Sequence, residues 1–132
     1  MTNDPTPLDI RLGLPAEPSS VPFARKTIRD ALIDWGYGPD LVHDSMLVVS
    51  ELVTNAITAA AGHPIRLRCT VHHGAPLLEC WDPSPSIPVA RPAPSTAESG
   101  RGLAIIAAYA KESGTRPSPT GAGKIIWAHM SA

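Results

Sequence analysis

Glu51 and Asn55 are the first residues of this chain that could do chemistry. They stand at i and i+4 in Ser50-Glu51-Leu52-Val53-Thr54-Asn55-Ala56, so on a helix they stack one turn apart on one face. The surrounding run, residues 41–61, has no Gly or Pro and reads as one helix. Met46, Leu47, Val48, Val49, Leu52, Val53, Ile57 and Ala60 leave that helix without a fully polar side, and a helix apolar all round is normally buried. A buried carboxylate is costly unless it is paired or holds a metal. A Glu and an Asn aimed into one interior spot therefore suggest a site. The same spacing also fits a helix edge with two solvated polar side chains.

Two further features lie downstream. Ile65, Leu67, Cys69 and Val71 alternate with Arg66, Arg68, Thr70 and His72. After His73-Gly74-Ala75-Pro76, Leu78 and Cys80 alternate with Leu77, Glu79 and Trp81. This predicts an antiparallel hairpin with one buried face. Counting on by twos, the next inward position is Asp82, a second carboxylate aimed at the helix side of the sheet. An Asp before Pro83 is also an ordinary way to end a strand. Ser99-Gly100-Arg101-Gly102 then leads into Leu103, Ile106, Ala107 and Ala110, a third helix. Glycines at a helix N-terminus expose backbone N–H groups and the positive dipole end, which suits phosphate, although a lone Gly-x-Gly is a weak signal.

The elements that must hold these groups fit one domain. The chain has 132 residues, of which 43% are hydrophobic, enough for a core and unlike a disordered chain. Aromatic residues make up 5%, so the core is mostly Ala, Val, Leu and Ile. The formal net charge is −1 and the Arg residues are scattered along the chain, which disfavours direct nucleic-acid binding. No apolar run approaches the roughly 18 residues that span a bilayer, and Met1-Thr2-Asn3-Asp4-Pro5 has no signal-peptide pattern. The expectation is a soluble cytoplasmic protein with no membrane contact. The five histidines show no metal-ligand spacing. Closure of the hairpin at His73-Gly74 is expected to set Cys69 opposite Cys80, within reach of a disulfide, and in a reducing cytosol both are expected as buried thiols.

Residues 1–7 read as a flexible, Pro-rich N-terminus, followed by a strand with alternating Leu8, Ile10, Leu12 and Leu14. Pro18-Ser19-Ser20 opens a helix with a Ser N-cap and Pro22 in its first turn. Its stripe is Ala24, Ile28, Ala31, Leu32 and Trp35, and Gly36 stops it. The second helix begins at Pro39 or Asp40 and ends at Gly62. Residues 83–99, rich in Pro and without periodicity, read as an exposed lid or binding loop. Glu112–Arg116 and Lys124–Met130 are the last strands, the second after a Gly121-Ala122-Gly123 turn. The order predicts an α+β fold: a two-layer α/β sandwich whose mixed, mostly antiparallel sheet carries three helices on one face.

From about Leu8 to Met130 the chain resembles the small ATP-binding anti-sigma-factor serine kinases of bacteria, within the histidine-kinase-like ATPase superfamily and its Bergerat fold. Glu51-Leu52-Val53-Thr54-Asn55-Ala56 looks like the asparagine box, Asp82 like the adenine-binding aspartate, and Gly100-Arg101-Gly102-Leu103 like the second glycine box. The resemblance implies ATP and Mg²⁺ as cofactors, with Asn55 as the magnesium ligand and Glu51 as the catalytic residue that polarises a protein serine hydroxyl. It implies that Asp82 accepts from the adenine amino group and that Gly100, Arg101 and Gly102 lie at the nucleotide. It further implies an anti-sigma-factor antagonist as substrate, a sigma factor as second partner, and a homodimer.

The chain departs from that pattern at three places. The first glycine box is replaced by Asp82-Pro83-Ser84-Pro85-Ser86, where two prolines remove backbone donors. Ala59 stands where many relatives have a polar residue. Ile125 stands where a threonine usually helps the aspartate hold adenine. These departures support the alternative of a non-catalytic protein-binding module with weak or no ATP binding.

Overall fold

The computed structural model describes residues 8–85 and 98–132, with backbone alone at 98–101. Its elements are β1 (Asp9–Leu14), α1 (Ser20–Asp34), α2 (Pro39–Ala60), β2 (Ile65–His72), β3 (Ala75–Asp82), α3 (Glu98–Tyr109), β4 (Glu112–Pro117) and β5 (Lys124–His129). The five strands form one sheet in the order β1-β2-β3-β5-β4. All four pairings are antiparallel, so the sheet has no parallel component among the described residues. The result is the expected α+β sandwich.

Alternation in the strands decides which face is covered. Ile65, Leu67 and Cys69 of β2, Leu78 and Cys80 of β3, and Ile126 and Ala128 of β5 are buried. They meet Leu52, Val53, Ala56 and Ala60 of α2, Ile28 and Leu32 of α1, and Ile106 of α3 in one core. Burial of each such aliphatic side chain stabilises the fold by roughly 1.5–3 kcal/mol. The central helix buries one face from Val42 to Ala60, while His43, Thr54 and Thr58 are exposed on the other, so it is covered on one side and not all round as its composition suggested.

The opposite face carries charge. Arg11 and Arg68 are directly paired across β1 and β2, a like-charge contact. Asp9 relieves it by accepting hydrogen bonds from both guanidinium groups at 3.1–3.2 Å. Arg68 first, and then Arg11, hold the Asp9 carboxyl below the usual carboxylate range.

Three local expectations are corrected. Ser19 has helical backbone angles and makes no side-chain cap, whereas Ser20 Oγ donates to the Pro15 carbonyl at 2.7 Å. Cys69 lies opposite Leu78, and Cys80 opposite Leu67, because a two-residue turn sets His72 against Ala75. The two thiols are free and buried. The helix after the Pro-rich segment starts at Glu98, so Gly100 and Gly102 lie inside its first turns rather than ahead of it. Of the expected N-terminal tail and lid, residues 1–7 and 86–97 lie outside the described residues.

Candidate functional site

The site begins where α2 and α3 pack together. A Cβ placed on Gly102 would lie 3.0 Å from Glu51 Oε2, 3.1 Å from Asn55 Nδ2 and 3.2 Å from Asn55 Oδ1. Three residues from two separate segments thus converge on one spot. Leu52, Val53 and Ala56 pull α2 into the core, which leaves Glu51 and Asn55 half-buried at the seam with α3. Their polar neighbours are satisfied within the helix. Ser50 Oγ donates to the Met46 carbonyl at 2.9 Å and Thr58 Oγ1 to the Thr54 carbonyl at 3.0 Å. Gly100 and Arg101 fall in the first turn of α3.

Asp82 ends β3 on the helix-covered side, as the alternation predicts, and it is 0% exposed. The residue facing it is not Ile125. Register pairs Asp82 with Lys124 and puts Ile125 opposite Trp81, where Ile125 lines the other face of the sheet. Lys124 Nζ donates to Asp82 Oδ1 at 2.9 Å. The Ser84 backbone N–H donates to the same oxygen, also at 2.9 Å, which turns the chain sharply after the strand. Asp82 Oδ2 is buried without a hydrogen-bond partner among the described residues. Burial first, and then the Asp82 charge, push the Cys80 thiol up.

The Gly121–Gly123 turn holds this corner together. Gly123 has φ +82°, and a Cβ there would sit 2.1 Å from the Asp82 carbonyl oxygen. Trp81 Nε1 donates to the Ala122 carbonyl at 2.9 Å.

The Lys124–Asp82 pair is the feature that sequence reasoning missed. Alternation was its one local signal, masked because a lysine that starts a strand normally points to water. Lys124, Ile126, Ala128 and Met130 form one alternating series, and all four are buried. A lysine in such a series needs an anion facing it. The scattered arginines also gather in space. Arg11, Arg66 and Arg68 border a groove of about 390 Å³ on the outer face, where the Arg66 guanidinium lies 4.8 Å from the Trp81 ring centroid and Arg116 pairs with Glu79.

The two groups of residues differ in what they fit. Glu51, Asn55 and the cradle at Gly102 offer oxygen donors and close backbone approach, which suits a polyphosphate with Mg²⁺, a cation that needs few protein ligands. No group of three or more His, Cys, Asp or Glu side chains among the described residues is placed to hold a metal. At the Asp82 end Oδ1 is already engaged by an ammonium group and a backbone N–H, while Oδ2 is enclosed without a partner among the described residues.

Residues 14–130 match the description of the histidine kinase-like ATPase domain. No curated protein gives a significant match to the chain.

Proposed function

The chain belongs to the histidine kinase-like ATPase domain family, and on that premise we propose that it is an ATP-binding regulator working as an anti-sigma-factor serine/threonine kinase. The observation that carries the reading is the convergence of Glu51, Asn55 and Gly102. In this reading the Asn55 amide oxygen ligates Mg²⁺, and the missing side chain at Gly102 lets the α3 backbone approach the phosphates. Glu51 accepts the proton of a serine hydroxyl on an anti-sigma-factor antagonist. Mg-ATP would supply the γ-phosphoryl group to that serine oxygen, with ADP as the leaving group and the metal neutralising the charge. A sigma factor as second partner and a homodimeric state belong to the same proposal. No helix among the described residues is long and apolar enough to cross a membrane, and the proposed role places the protein in the cytoplasm.

Calorimetric titration with Mg-ATP tests the reading, with Asn55→Ala as the comparison. Saturable binding that Asn55→Ala removes, with folding unchanged, supports it. Equal binding by both proteins would remove Asn55 from the site. A second reading, a partner-binding module without nucleotide chemistry, is favoured by one observation, the ion pair that engages Asp82.

A further inference from the structure

We propose that Lys124 is a resident occupant of the base end of the site, a counter-ion of Asp82 that a nucleotide base must displace before the aspartate can recognise it. This rests on the reading that the site takes a nucleotide. It makes Lys124 a specificity-determining residue that shifts binding from the base to the polyphosphate.

The register comes first. Asp82 and Lys124 are directly paired residues of β3 and β5, so the contact follows from the sheet itself. The Lys124 backbone is pinned on its N-terminal side, because the Ser118 N–H donates to the Gly123 carbonyl at 3.1 Å and Gly123 is wedged against the Asp82 carbonyl. The two side chains are 4% and 1% exposed, which leaves almost no surface of the carboxylate for an incoming base. Oδ1 already takes two donors, Lys124 Nζ and Ser84 N.

Chemistry then gives the direction. The exocyclic amino group of adenine is a neutral donor. Both the ammonium and the amine would donate to an ionised carboxylate, but only the ammonium adds the attraction of an opposite charge in a buried site, so exchanging it for the amine is unfavourable. The exchange would also strand the buried ammonium, since a lysine head has donors only. Oδ2, unpartnered among the described residues, is enclosed with the rest of the ion pair, and it is the acceptor that a base could use once removal of the lysine opens the carboxylate. A hydroxyl residue at this position would leave both the volume and the acceptor open.

The test compares Mg-ATP with Mg-tripolyphosphate, which carries the phosphates and no base, by calorimetry on wild type, Lys124→Thr and Lys124→Arg. Wild type should bind the two ligands within about threefold of each other. Lys124→Thr should bind Mg-ATP at least tenfold more tightly and leave tripolyphosphate affinity unchanged, a base-specific gain that general loosening of the fold would not produce. Lys124→Arg keeps the cation and should behave as wild type. Unchanged or weaker Mg-ATP binding by a folded Lys124→Thr, with tripolyphosphate still bound, would overturn the inference and leave the nucleotide reading standing. Binding of neither ligand by wild type would overturn both. If Lys124→Thr does not fold, the wild-type comparison decides: parity supports the inference, and a preference for Mg-ATP above tenfold overturns it.

Discussion

Gly102 lies against Asn55 across the seam between α2 and α3, so closely that a Cβ would sit 3.1 Å from the amide nitrogen and 3.2 Å from the amide oxygen. The neighbours are the ends of flexible side chains, which can yield by a few tenths of an ångström. In Gly102→Ala the strain is offset by the roughly 0.5–1 kcal/mol that Ala gains over Gly inside a helix. Thermal stability should therefore change by less than about 1 kcal/mol, while Mg-ATP affinity falls about tenfold as Asn55 and Glu51 are pushed aside. A melting curve and a titration on one preparation separate the two effects. A large stability loss with affinity intact would make Gly102 a packing residue only.

Gly121 and Gly123 share one turn and similar dihedrals, φ +79° and +82°, yet their surroundings differ. Nothing lies within 4 Å of a Cβ on Gly121, whereas one on Gly123 meets the Asp82 carbonyl at 2.1 Å. Gly121→Ala should cost about 1 kcal/mol, the ordinary penalty for a left-handed non-glycine residue. Gly123→Ala adds a backbone clash that no rotamer relieves, and should cost about 3 kcal/mol or more. Denaturant unfolding of the two variants measures the difference. Equal losses would mean that the turn moves freely away from β3.

How much of this was readable from the sequence depended on how local the deciding force was. The course of α2 followed from its unbroken apolar composition, and the inward direction of Asp82 from simple alternation. The hairpin partner of Cys69 needed a register count from the turn, and a two-residue slip on the same face separated the expected partner Cys80 from the real one, Leu78. Gly100-Arg101-Gly102 carries the local composition of a loop, but the close contact of Gly102 with α2 makes helix the better solution there. Lys124 was hidden for a different reason. A lysine at the start of a strand normally points to water, and only the tertiary pairing with Asp82 brings it inside. The grouping of Arg11 with Arg66 and Arg68 likewise exists only once β1 pairs with β2.

The cysteines give a pH-dependent prediction. Burial pushes the Cys69 thiol up to about 12, well above the ordinary thiol range. For an acid whose folded pKa is raised, folding favours the protonated form. The stabilisation is complete below the unfolded pKa and is lost as pH rises towards the folded one. Stability should be flat in this respect up to about pH 9 and decline between about 9 and 12. Cys69→Ala should flatten part of that decline in urea titrations run at several pH values. Native protein at pH 8 should also resist thiol-specific labelling and react only on unfolding. Rapid labelling of the native state would contradict the enclosed position of both thiols.

Glu51 provides the sharpest division between an enzyme and a binding module. Its carboxylate oxygen faces Gly102 beside Asn55, and in the proposed kinase reading it would accept the proton of the attacking hydroxyl. Glu51→Gln keeps the shape and the hydrogen-bonding reach but removes the basic oxygen. Loss of a general base typically lowers a rate by about 10²–10⁴-fold. The fold should be unaffected, because Glu51 is half-buried at a seam rather than enclosed in the core. Docking of the antagonist should also survive, since proton transfer plays no part in association. Transfer of labelled phosphate from ATP to the antagonist, run beside a pull-down with the same partner, reads both quantities. A rate loss of that size with docking intact assigns the base. If wild-type protein captures the antagonist and transfers no phosphate, the kinase reading fails and the partner-binding reading takes its place. Retention of full transfer by Glu51→Gln would instead leave a kinase whose base lies elsewhere.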